Sequence, residues 1–326
     1  MSTYSFVSTK DGRTYTGTLV GTNPFAAIQT GSNIPVLVVP LKITVGTTVF
    51  DPTAGDLCDG NVSAVNRFNE SPLIQSSPLT FNGVNVGTTQ FANGFQRAEF
   101  WNEIGGSTLY QNALTPVTYA TAVSVTTTGQ VYSSGCSRLG IVGYSWMSKF
   151  LSTEITALQK AGTLSPSQFA IFLVRNIVQS TANPPSTSGC CILGFHSAVG
   201  SPVQTYGVMD WDTTGDFGAG TADGSFSSHE IAEWMNDPLG TNPTPAWGGI
   251  GQVSGCQNNF EVGDPLSGTL MPAITLNGKA YHMQEMGFFS WYFNKNGVAS
   301  LGAGGKFSGN GTFKGPAKAC PPGGTN

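Results

Sequence analysis

Residues 228–238 read Ser-His-Glu-Ile-Ala-Glu-Trp-Met-Asn-Asp-Pro, and the prediction of the fold starts from them. In a helix, the imidazole of His229 and the carboxylate of Glu233 lie one turn apart and can converge on one cation. In the familiar His-Glu-x-x-His signature, two histidines hold zinc and the intervening glutamate activates a water molecule. Here Glu233 stands in for the second histidine, and carboxylates are accepted zinc ligands. The stretch therefore predicts a zinc-binding helix in which Glu230 is the catalytic base.

A simpler interpretation of the same helix is a capping box. Ser227 and Glu230 have the Ser-x-x-Glu spacing in which the glutamate satisfies a backbone N–H and His229 is a first-turn surface residue. Two observations favour metal binding instead. Asp223 and Ser225 offer earlier caps, and the apolar residues of the stretch form a stripe that leaves the histidine and the second glutamate together on another face.

A metal site needs at least three protein ligands, so the helix requires a partner. The segment 261–264, Glu-Val-Gly-Asp, is the leading candidate because it offers two carboxylates beside a glycine where the backbone can turn sharply. Asp264 is slightly favoured over Glu261, since the adjacent glycine and proline suggest a rigid turn. His196 and His282 remain alternatives, although a lone histidine among apolar residues is more often a packed core residue.

A second cation site is conceivable in the acidic stretch that begins at Asp210. Asp210, Asp212 and Asp216 are followed by Asp223, a spacing that resembles a calcium loop. The stretch lacks the glutamate that an EF-hand needs at its twelfth position. Turns rich in aspartate look the same, and that interpretation is favoured. Zinc is therefore the expected ion, with manganese or calcium as fallbacks and calcium as a possible structural ion.

The composition limits the classes of partner. Only 10% of the residues are charged, against roughly 25% in an ordinary soluble domain, which suits a loop-rich extracellular protein. The net charge of -4 lacks the basic footprint that nucleic-acid binding needs, so nucleic acid is excluded. The longest apolar run, residues 34–45, is too short and too interrupted to span a bilayer. We expect no membrane partner.

Six cysteines form an even set without a Cys-x-x-Cys pair, which favours disulfides over zinc ribbons. Adjacent cysteines rarely bond each other, so Cys190 and Cys191 are each expected to reach a separate partner. Oxidised cysteines indicate an extracytoplasmic compartment. The first residues show no signal segment, so either a signal was removed or export uses another route.

The pattern along the chain predicts an α+β fold with a β-rich half at residues 1–135 and a metal-binding catalytic region at residues 136–326. The first half has short β-branched runs that predict antiparallel strands, and Asn82-Gly83 is a strong hairpin signal. Residues 148–161 have helical spacing. Residues 240–255 hold Gly, Pro and Trp247 without periodicity, which predicts a long loop. The two regions could also form one compact unit.

The block 228–238, the later Trp247 and Glu261-Val-Gly-Asp264 resemble a run found in secreted bacterial metallopeptidases of zincin type, which are distantly similar to the plant phosphate-induced (exordium-like) proteins. The segment Gly194-Phe195-His196 also resembles a Gly-aromatic-His element of that group. The resemblance covers roughly residues 190–265. It implies a zincin-like fold with His229 and Glu233 as metal ligands, Glu230 as general base, and Glu261 or Asp264 completing the site.

Together these features predict a secreted, zinc-dependent hydrolase that acts on peptides or proteins, most readily as an endopeptidase. One histidine and two carboxylates make the metal a weaker Lewis acid than two histidines and one carboxylate would, so modest activity is expected. The alternative is a catalytically inactive extracellular binding or structural protein that keeps the metal for stability. A closed coordination sphere would favour that alternative, because catalysis needs an open position.

Overall fold

The computed structural model describes residues 1–135, 137–294, 300–302, 305–315 and 320–321. Cys136 lies outside the described residues. Most of the regular structure in the described part is extended. Its strands, in chain order, are Ser2–Val7 (β1), Thr14–Leu19 (β2), Ser32–Val45 (β3), Thr48–Phe50 (β4), Gly55–Asp56 (β5), Val62–Ser63 (β6), Ser77–Phe81 (β7), Val84–Thr89 (β8), Asn112–Thr118 (β9), Val123–Thr127 (β10), Gly129–Ser134 (β11), Ser137–Gly143 (β12), Phe169–Arg175 (β13), Ile177–Ser180 (β14), Cys190–Ile192 (β15), Gly194–Val199 (β16), Gln204–Trp211 (β17), Pro243–Ile250 (β18), Val253–Asn259 (β19), Ile274–Leu276 (β20) and Lys279–Tyr281 (β21).

The helices of the described part are short, apart from one. They are Ala64–Glu70 (α1), Phe91–Glu99 (α2), Tyr144–Lys160 (α3), Ser225–Asn236 (α4) and Phe289–Phe293 (α5). The predicted helix at residues 148–161 is present as α3, and Gly162 follows it with a φ of 69°, a backbone conformation that favours glycine. Helix α4 ends at Asn236, as expected because Pro238 disfavours helical geometry at Asp237.

The largest sheet has seven strands and takes strands from both sides of residue 135. Its main path runs β10-β3-β13-β17-β16, and β4 and β9 also pair with β3. β3 pairs in parallel with β9, β10 and β13, and β13 pairs in parallel with β17. β16 is antiparallel to β17 and lies at the edge. The prediction of an antiparallel first half is therefore wrong for this sheet, because β3 is flanked by parallel neighbours.

The expected α+β, zincin-like fold class is wrong. The described residues are 40% strand and only 18% helix, and their strands are divided among one larger and several small sheets. Segments that look aperiodic in the sequence are extended rather than looped. The predicted loop at residues 240–255 is instead the antiparallel pair of β18 and β19. The fold is therefore β-rich in both halves.

The predicted hairpin at Asn82-Gly83 is confirmed by the pairing of β7 with β8. Asn82 has a φ of 49° and Gly83 a φ of 79°. Positive φ at both central residues is what a two-residue turn between right-twisted strands needs, and Asn-Gly is the pair that adopts it most readily. This local signal could be read from the sequence because it depends on two adjacent residues only.

Helix α4 packs across the sheet near its antiparallel edge, against β16, β17 and α2. Its apolar stripe, which includes Ile231, Trp234 and Met235, is buried. The ring of Trp234 stacks on Phe169 of β13 with 3.8 Å between centroids. Burial of a stripe of this kind is worth several kcal/mol. It holds α4 rigidly on the sheet and fixes the direction in which the opposite face of the helix points.

Two disulfides lie within the described residues. Cys256 of β19 is bonded to Cys320, and Cys190 is bonded to Cys191 across a cis peptide bond. Cys58 is also disulfide-bonded. Separate partners for Cys190 and Cys191 were expected and are wrong, because the two cysteines are bonded to each other. Oxidised cysteines are compatible with an extracellular protein. No helix of the described residues is long and apolar enough to cross a membrane.

Candidate metal centre

Three of the predicted residues come together at one point. His229 Nε2 lies 3.1 Å from Glu233 Oε2 and 3.6 Å from Asp264 Oδ1. The three ligand atoms all lie within 4.8 Å of one another, and all three residues are buried. Zinc bonds to nitrogen and oxygen are about 2.0–2.2 Å long, so one ion can reach two atoms that are separated by up to roughly 4 Å. The group could therefore hold a metal ion.

The ring of His229 is oriented by Gln284. His229 Nδ1 lies 3.1 Å from Gln284 Oε1, and Gln284 Nε2 donates to the carbonyl oxygen of Gly263 at 2.8 Å. Because the amide nitrogen is used by a carbonyl, the amide oxygen must face the ring and accept its Nδ1–H. In the neutral ring, Nε2 then carries the lone pair, and it faces the two carboxylates. This is the outer-shell arrangement that metal-binding histidines usually have.

The two carboxylates are held in the same way. Glu233 Oε1 accepts the backbone N–H groups of Gly263 and Asp264 at 3.0 and 3.2 Å, which leaves Oε2 for the centre. Asp264 accepts hydrogen bonds from the amide nitrogens of Gln252 and Gln257. All three candidate ligands are thus fixed by neutral donors or acceptors. Pre-organisation of this kind lowers the cost of bringing the ligands together around an ion.

Glu230 stands next to the three ligands and contacts His196 of β16. His196 Nδ1 lies 3.4 Å from Glu230 Oε2 and 3.8 Å from Glu233 Oε2. The other ring nitrogen, Nε2, lies 3.1 Å from the carbonyl oxygen of Asp237 and donates to it. His196, Glu230 and Glu233 form a second group whose ligand atoms lie within 4.8 Å of one another. His196 therefore supports Glu230 from the sheet side.

The centre has an excess of negative charge. Among the described residues, the ion-pair partners of Glu230, Glu233, Glu261 and Asp264 are histidines alone. Burial lowers the pKa of His196, but the carboxylates around it outweigh that effect and raise the pKa to about 10. A field of carboxylates that favours a proton on an imidazole also favours a metal cation in its place, and metal binding would release that proton.

The same physical causes act on the other groups of the centre. Burial lowers the pKa of His229, whereas Glu233 and Asp264 raise it, and the pKa stands well above its usual value. Burial and then the charge of Glu233 raise the pKa of Asp264 and of Glu261. Titratable groups that are strongly perturbed by burial and by named charges are typical of functional sites, and His229 is one that also lines a cleft.

Several other predicted residues lie outside the group of three. Glu261 accepts from Asn259 at 2.8 Å and lies 3.9 Å from His196 Nε2, so it stands beside the opposite ring nitrogen of that histidine. His282 Nδ1 lies 2.8 Å from Asp223 Oδ2 and joins neither candidate group. Asp212 accepts from Thr214 in a local turn, as turn-forming aspartates do. The described aspartates of the predicted calcium loop form no cluster of potential metal ligands.

The capping-box interpretation of the helix is wrong. α4 begins at Ser225, and Gly224 is its N-cap residue without a side-chain cap. Ser227 and Glu230 both lie inside the helix rather than at its start, so the serine cannot cap it. Glu230 instead points to the side where β16 approaches. A β-carbon at Gly194 of β16 would lie 2.9 Å from Glu230 Cγ, which means that only a glycine leaves room for the glutamate there.

A second glycine makes a close approach to the centre. A β-carbon at Gly263 would lie 2.5 Å from His229 Nδ1 and 2.8 Å from Cε1 of the same ring. The sequence predicts a sharp turn at this glycine. Its φ of -83° is ordinary for any residue, so the requirement is one of space. The backbone of residues 263–264 lies directly against the imidazole and donates to Glu233 from there.

A cleft of about 450 Å³ opens at the centre, and His229 and Glu230 line it. Gln252 and Gln284, which orient Asp264 and His229, line it as well. An ion held by three protein ligands keeps a further position for water or substrate when the site is tetrahedral. Of the three candidate ligands, His229 lines the cleft, so small molecules can reach this side of the centre.

The three glutamines of the centre were not predicted from the sequence. Gln252, Gln257 and Gln284 carry no charge and have no characteristic spacing, so no motif marks them. His196 was an alternative ligand only, and its proximity to Glu230 depends on the pairing of β16 with β17.

Comparisons of the chain with protein-family models, with curated proteins and with solved structures find no match.

Proposed function

We propose that the protein is a secreted, zinc-dependent hydrolase whose most suitable substrate is a peptide bond. The observation that carries the proposal is the convergence of His229 Nε2, Glu233 Oε2 and Asp264 Oδ1 beside an accessible cleft. One histidine and two carboxylates form an accepted zinc set, although not the commonest one. The resemblance of residues 228–238 and 261–264 to secreted metallopeptidases of zincin type points to the same chemistry.

In this proposal each residue has one task. His229, Glu233 and Asp264 hold the ion, which when bound would lower the pKa of a water molecule and polarise a substrate carbonyl. Glu230 lines the cleft and would accept the proton of the attacking water. His196 contacts Glu230 from behind and, through Nε2, is itself held by the carbonyl of Asp237. It is a positioning residue for the base.

The alternative function is a catalytically inactive extracellular protein that keeps the metal for stability. Fixation of the ligands by glutamine side chains and backbone N–H groups suits either function. The cleft favours the enzymatic function over the structural one, because His229 and Glu230 line it. A structural zinc site is usually closed by four protein ligands. Zinc is proposed over calcium because imidazole is a poor calcium ligand.

The test separates the two glutamates of the helix. Glu233→Ala removes a ligand and is expected to lower the zinc content and the melting temperature, since metal binding is coupled to folding. Glu230→Gln keeps size and helix propensity but loses the proton acceptor. We expect it to retain zinc and to lose hydrolysis of a broad peptide library by roughly 100-fold or more. Zinc is measured by elemental analysis and cleavage by mass spectrometry.

The outcomes are distinct. Wild-type protein that binds no zinc contradicts the metal centre. Wild-type protein that binds zinc but cleaves nothing favours the structural alternative. Unchanged cleavage by Glu230→Gln with zinc retained would rule out Glu230 as the base. Glu154→Gln, on the partly exposed face of α3, is the matched control and is expected to change neither zinc content nor cleavage.

A further inference from the structure

The cleft at the metal centre has one apolar wall. Its apolar side chains come from three separate segments of the chain. These are residues 191–193 at the end of β15, the loop that contains Phe217, and the first turn of α4. The apolar side chains are Cys191, Ile192, Leu193, Phe217 and Phe226. Resting on the proposed function, we propose that this wall is a specificity pocket for a large apolar side chain, aromatic or branched aliphatic, adjacent to the scissile bond of the substrate.

Phe226 is the residue of the apolar wall that lies on the same helix as His229 and Glu230. It precedes His229 by three positions and Glu230 by four on the same helix, so its side chain lies one turn away on the same face. Phe226 is the one residue of Ser225–Asn236 that is not buried. A phenyl ring that projects from an otherwise buried helix into a cleft is placed to meet a ligand, since contacts with the protein do not cover it.

The wall is supported from behind. The ring of Phe217 packs edge-to-face against Phe226, with 6.1 Å between centroids and an interplanar angle of 89°. Phe217 and Leu193 in turn pack on the small core cluster of Leu139, Ile141 and Val178. Edge-to-face pairs add about 0.5–1.5 kcal/mol beyond their buried area. A side chain entering the cleft therefore meets a rigid surface rather than one that must first be ordered.

The charges of the residues that line the cleft favour an apolar substrate side chain over a charged one. No lysine or arginine is among the described residues that line the cleft, and Glu230 is its lining carboxylate. An acidic substrate side chain would face Glu230 without a cation to offset it. Among the described lining residues, a basic side chain could pair only with Glu230, which the proposed reaction needs as its base. Burial of a large apolar side chain in such a pocket is favourable by itself.

The test uses two metal-directed probes on the zinc-loaded full chain. Acetohydroxamate offers the metal-binding group alone, and 3-phenylpropanohydroxamate adds a phenyl ring that can reach the wall. We expect the phenyl probe to bind at least tenfold more tightly by isothermal titration calorimetry, as burial of an aromatic side chain predicts. Phe226→Ala should remove most of that difference and leave the affinity for acetohydroxamate unchanged. Tyr132→Ala, at an exposed tyrosine that does not line the cleft, should behave like the wild type.

Three results would overturn the pocket. Equal affinity of the wild type for both probes contradicts an apolar subsite. If Phe226→Ala lowers the affinity for both probes equally, Phe226 supports the metal centre and does not form the pocket. Phe226→Leu keeps an apolar side chain, and we expect it to retain part of the preference for the phenyl probe. Absence of zinc-dependent binding of either probe overturns the proposed metal centre and the pocket with it. The first two results leave the proposed function intact.

Discussion

The side-chain amide of Gln284 determines which nitrogen of His229 is free. Its oxygen accepts the Nδ1–H of the ring, and its nitrogen is committed to the carbonyl of Gly263. A flipped amide would place a donor against a donor, so the two hydrogen bonds reinforce one orientation. In the neutral ring, the lone pair at Nε2 consequently points at Glu233 and Asp264. A neutral residue that touches no metal thus decides whether the histidine can serve as a ligand.

Replacement of Gln284 tests this role. Gln284→Met keeps the length of the side chain and removes both hydrogen bonds, so the ring of His229 can rotate and change tautomer. We expect zinc affinity to fall by roughly 10- to 100-fold, which is the usual effect of losing an outer-shell partner. Competition with a chromogenic chelator measures it. Gln29→Met is the control, because Gln29 donates to nearby backbone carbonyls outside the centre. Equal zinc affinity of the two variants would contradict the prediction.

At the scale of elements, the centre depends on how closely two backbone segments approach α4. The segment at Gly263 lies against the ring of His229, and β16 at Gly194 lies against Glu230. A methyl group at either position would occupy space that the helix side chain already fills. The two glycines act on different residues of the same helix, and their replacement should therefore separate metal binding from catalysis.

We expect Gly263→Ala to displace the imidazole and to reduce zinc affinity at least tenfold, because contacts below 3.0 Å require something to move. Gly194→Ala should retain zinc but reduce hydrolysis about tenfold or more, because it displaces Glu230. Gly143→Ala is the control, since the nearest atom to its β-carbon would be 3.5 Å away. Zinc titration measures the zinc affinity of the three variants, and a peptide cleavage assay measures their hydrolysis. Loss of zinc in Gly194→Ala would contradict this division of roles.

Sequence-based prediction succeeded where the signal was local. The helix of Ser225–Asn236 and the Asn82-Gly83 turn depend on spacing within a few residues, and both are present. It failed where pairing between distant segments decides the structure. Pro243–Ile250 lacks periodicity because glycine and proline interrupt it, yet it forms a strand with Val253–Asn259. The parallel pairing of β3 was also missed, although its nearly continuous apolar run is typical of a strand that is buried on both faces of a parallel sheet.

The same distinction applies to the candidate centre. His229 and Glu233 could be proposed from helical spacing, and Asp264 from a carboxylate beside a glycine. The contact of His196 with Glu230 requires the edge position of β16, which no local pattern specifies. Gln284 reaches His229 across 55 positions of the chain. Tertiary structure alone brings such neutral supporting residues to the site.

At the scale of the whole molecule, the Cys256–Cys320 disulfide ties β19 to a residue 64 positions away. Closing a loop of this length lowers the entropy of the unfolded chain and is worth about 4 kcal/mol in the chain-entropy estimate. The Cys190–Cys191 bond joins neighbours and closes almost no loop. The two bonds should therefore differ strongly in their contribution to stability, although both connect cysteines of the same chain.

We expect the double replacement Cys256→Ser and Cys320→Ser to lower the free energy of unfolding by about 4 kcal/mol. The double replacement Cys190→Ser and Cys191→Ser is the matched control, for which the same entropic argument gives a much smaller loss. Urea denaturation of both variants under non-reducing conditions measures the difference. Equal stability of the first variant and the wild type would contradict the prediction.

The candidate centre is assembled from distant parts of the chain, with His196 on β16, His229 and Glu233 on α4, Asp264 after β19, and Gln284 after β21. Ribosomes deliver these parts in that order, at about 5–20 residues per second. A growing chain that has just completed α4 has two of the three ligands and lacks both the third and the amide that orients the histidine. The candidate metal centre therefore cannot be complete on a nascent chain until the segment that follows β21 has been made.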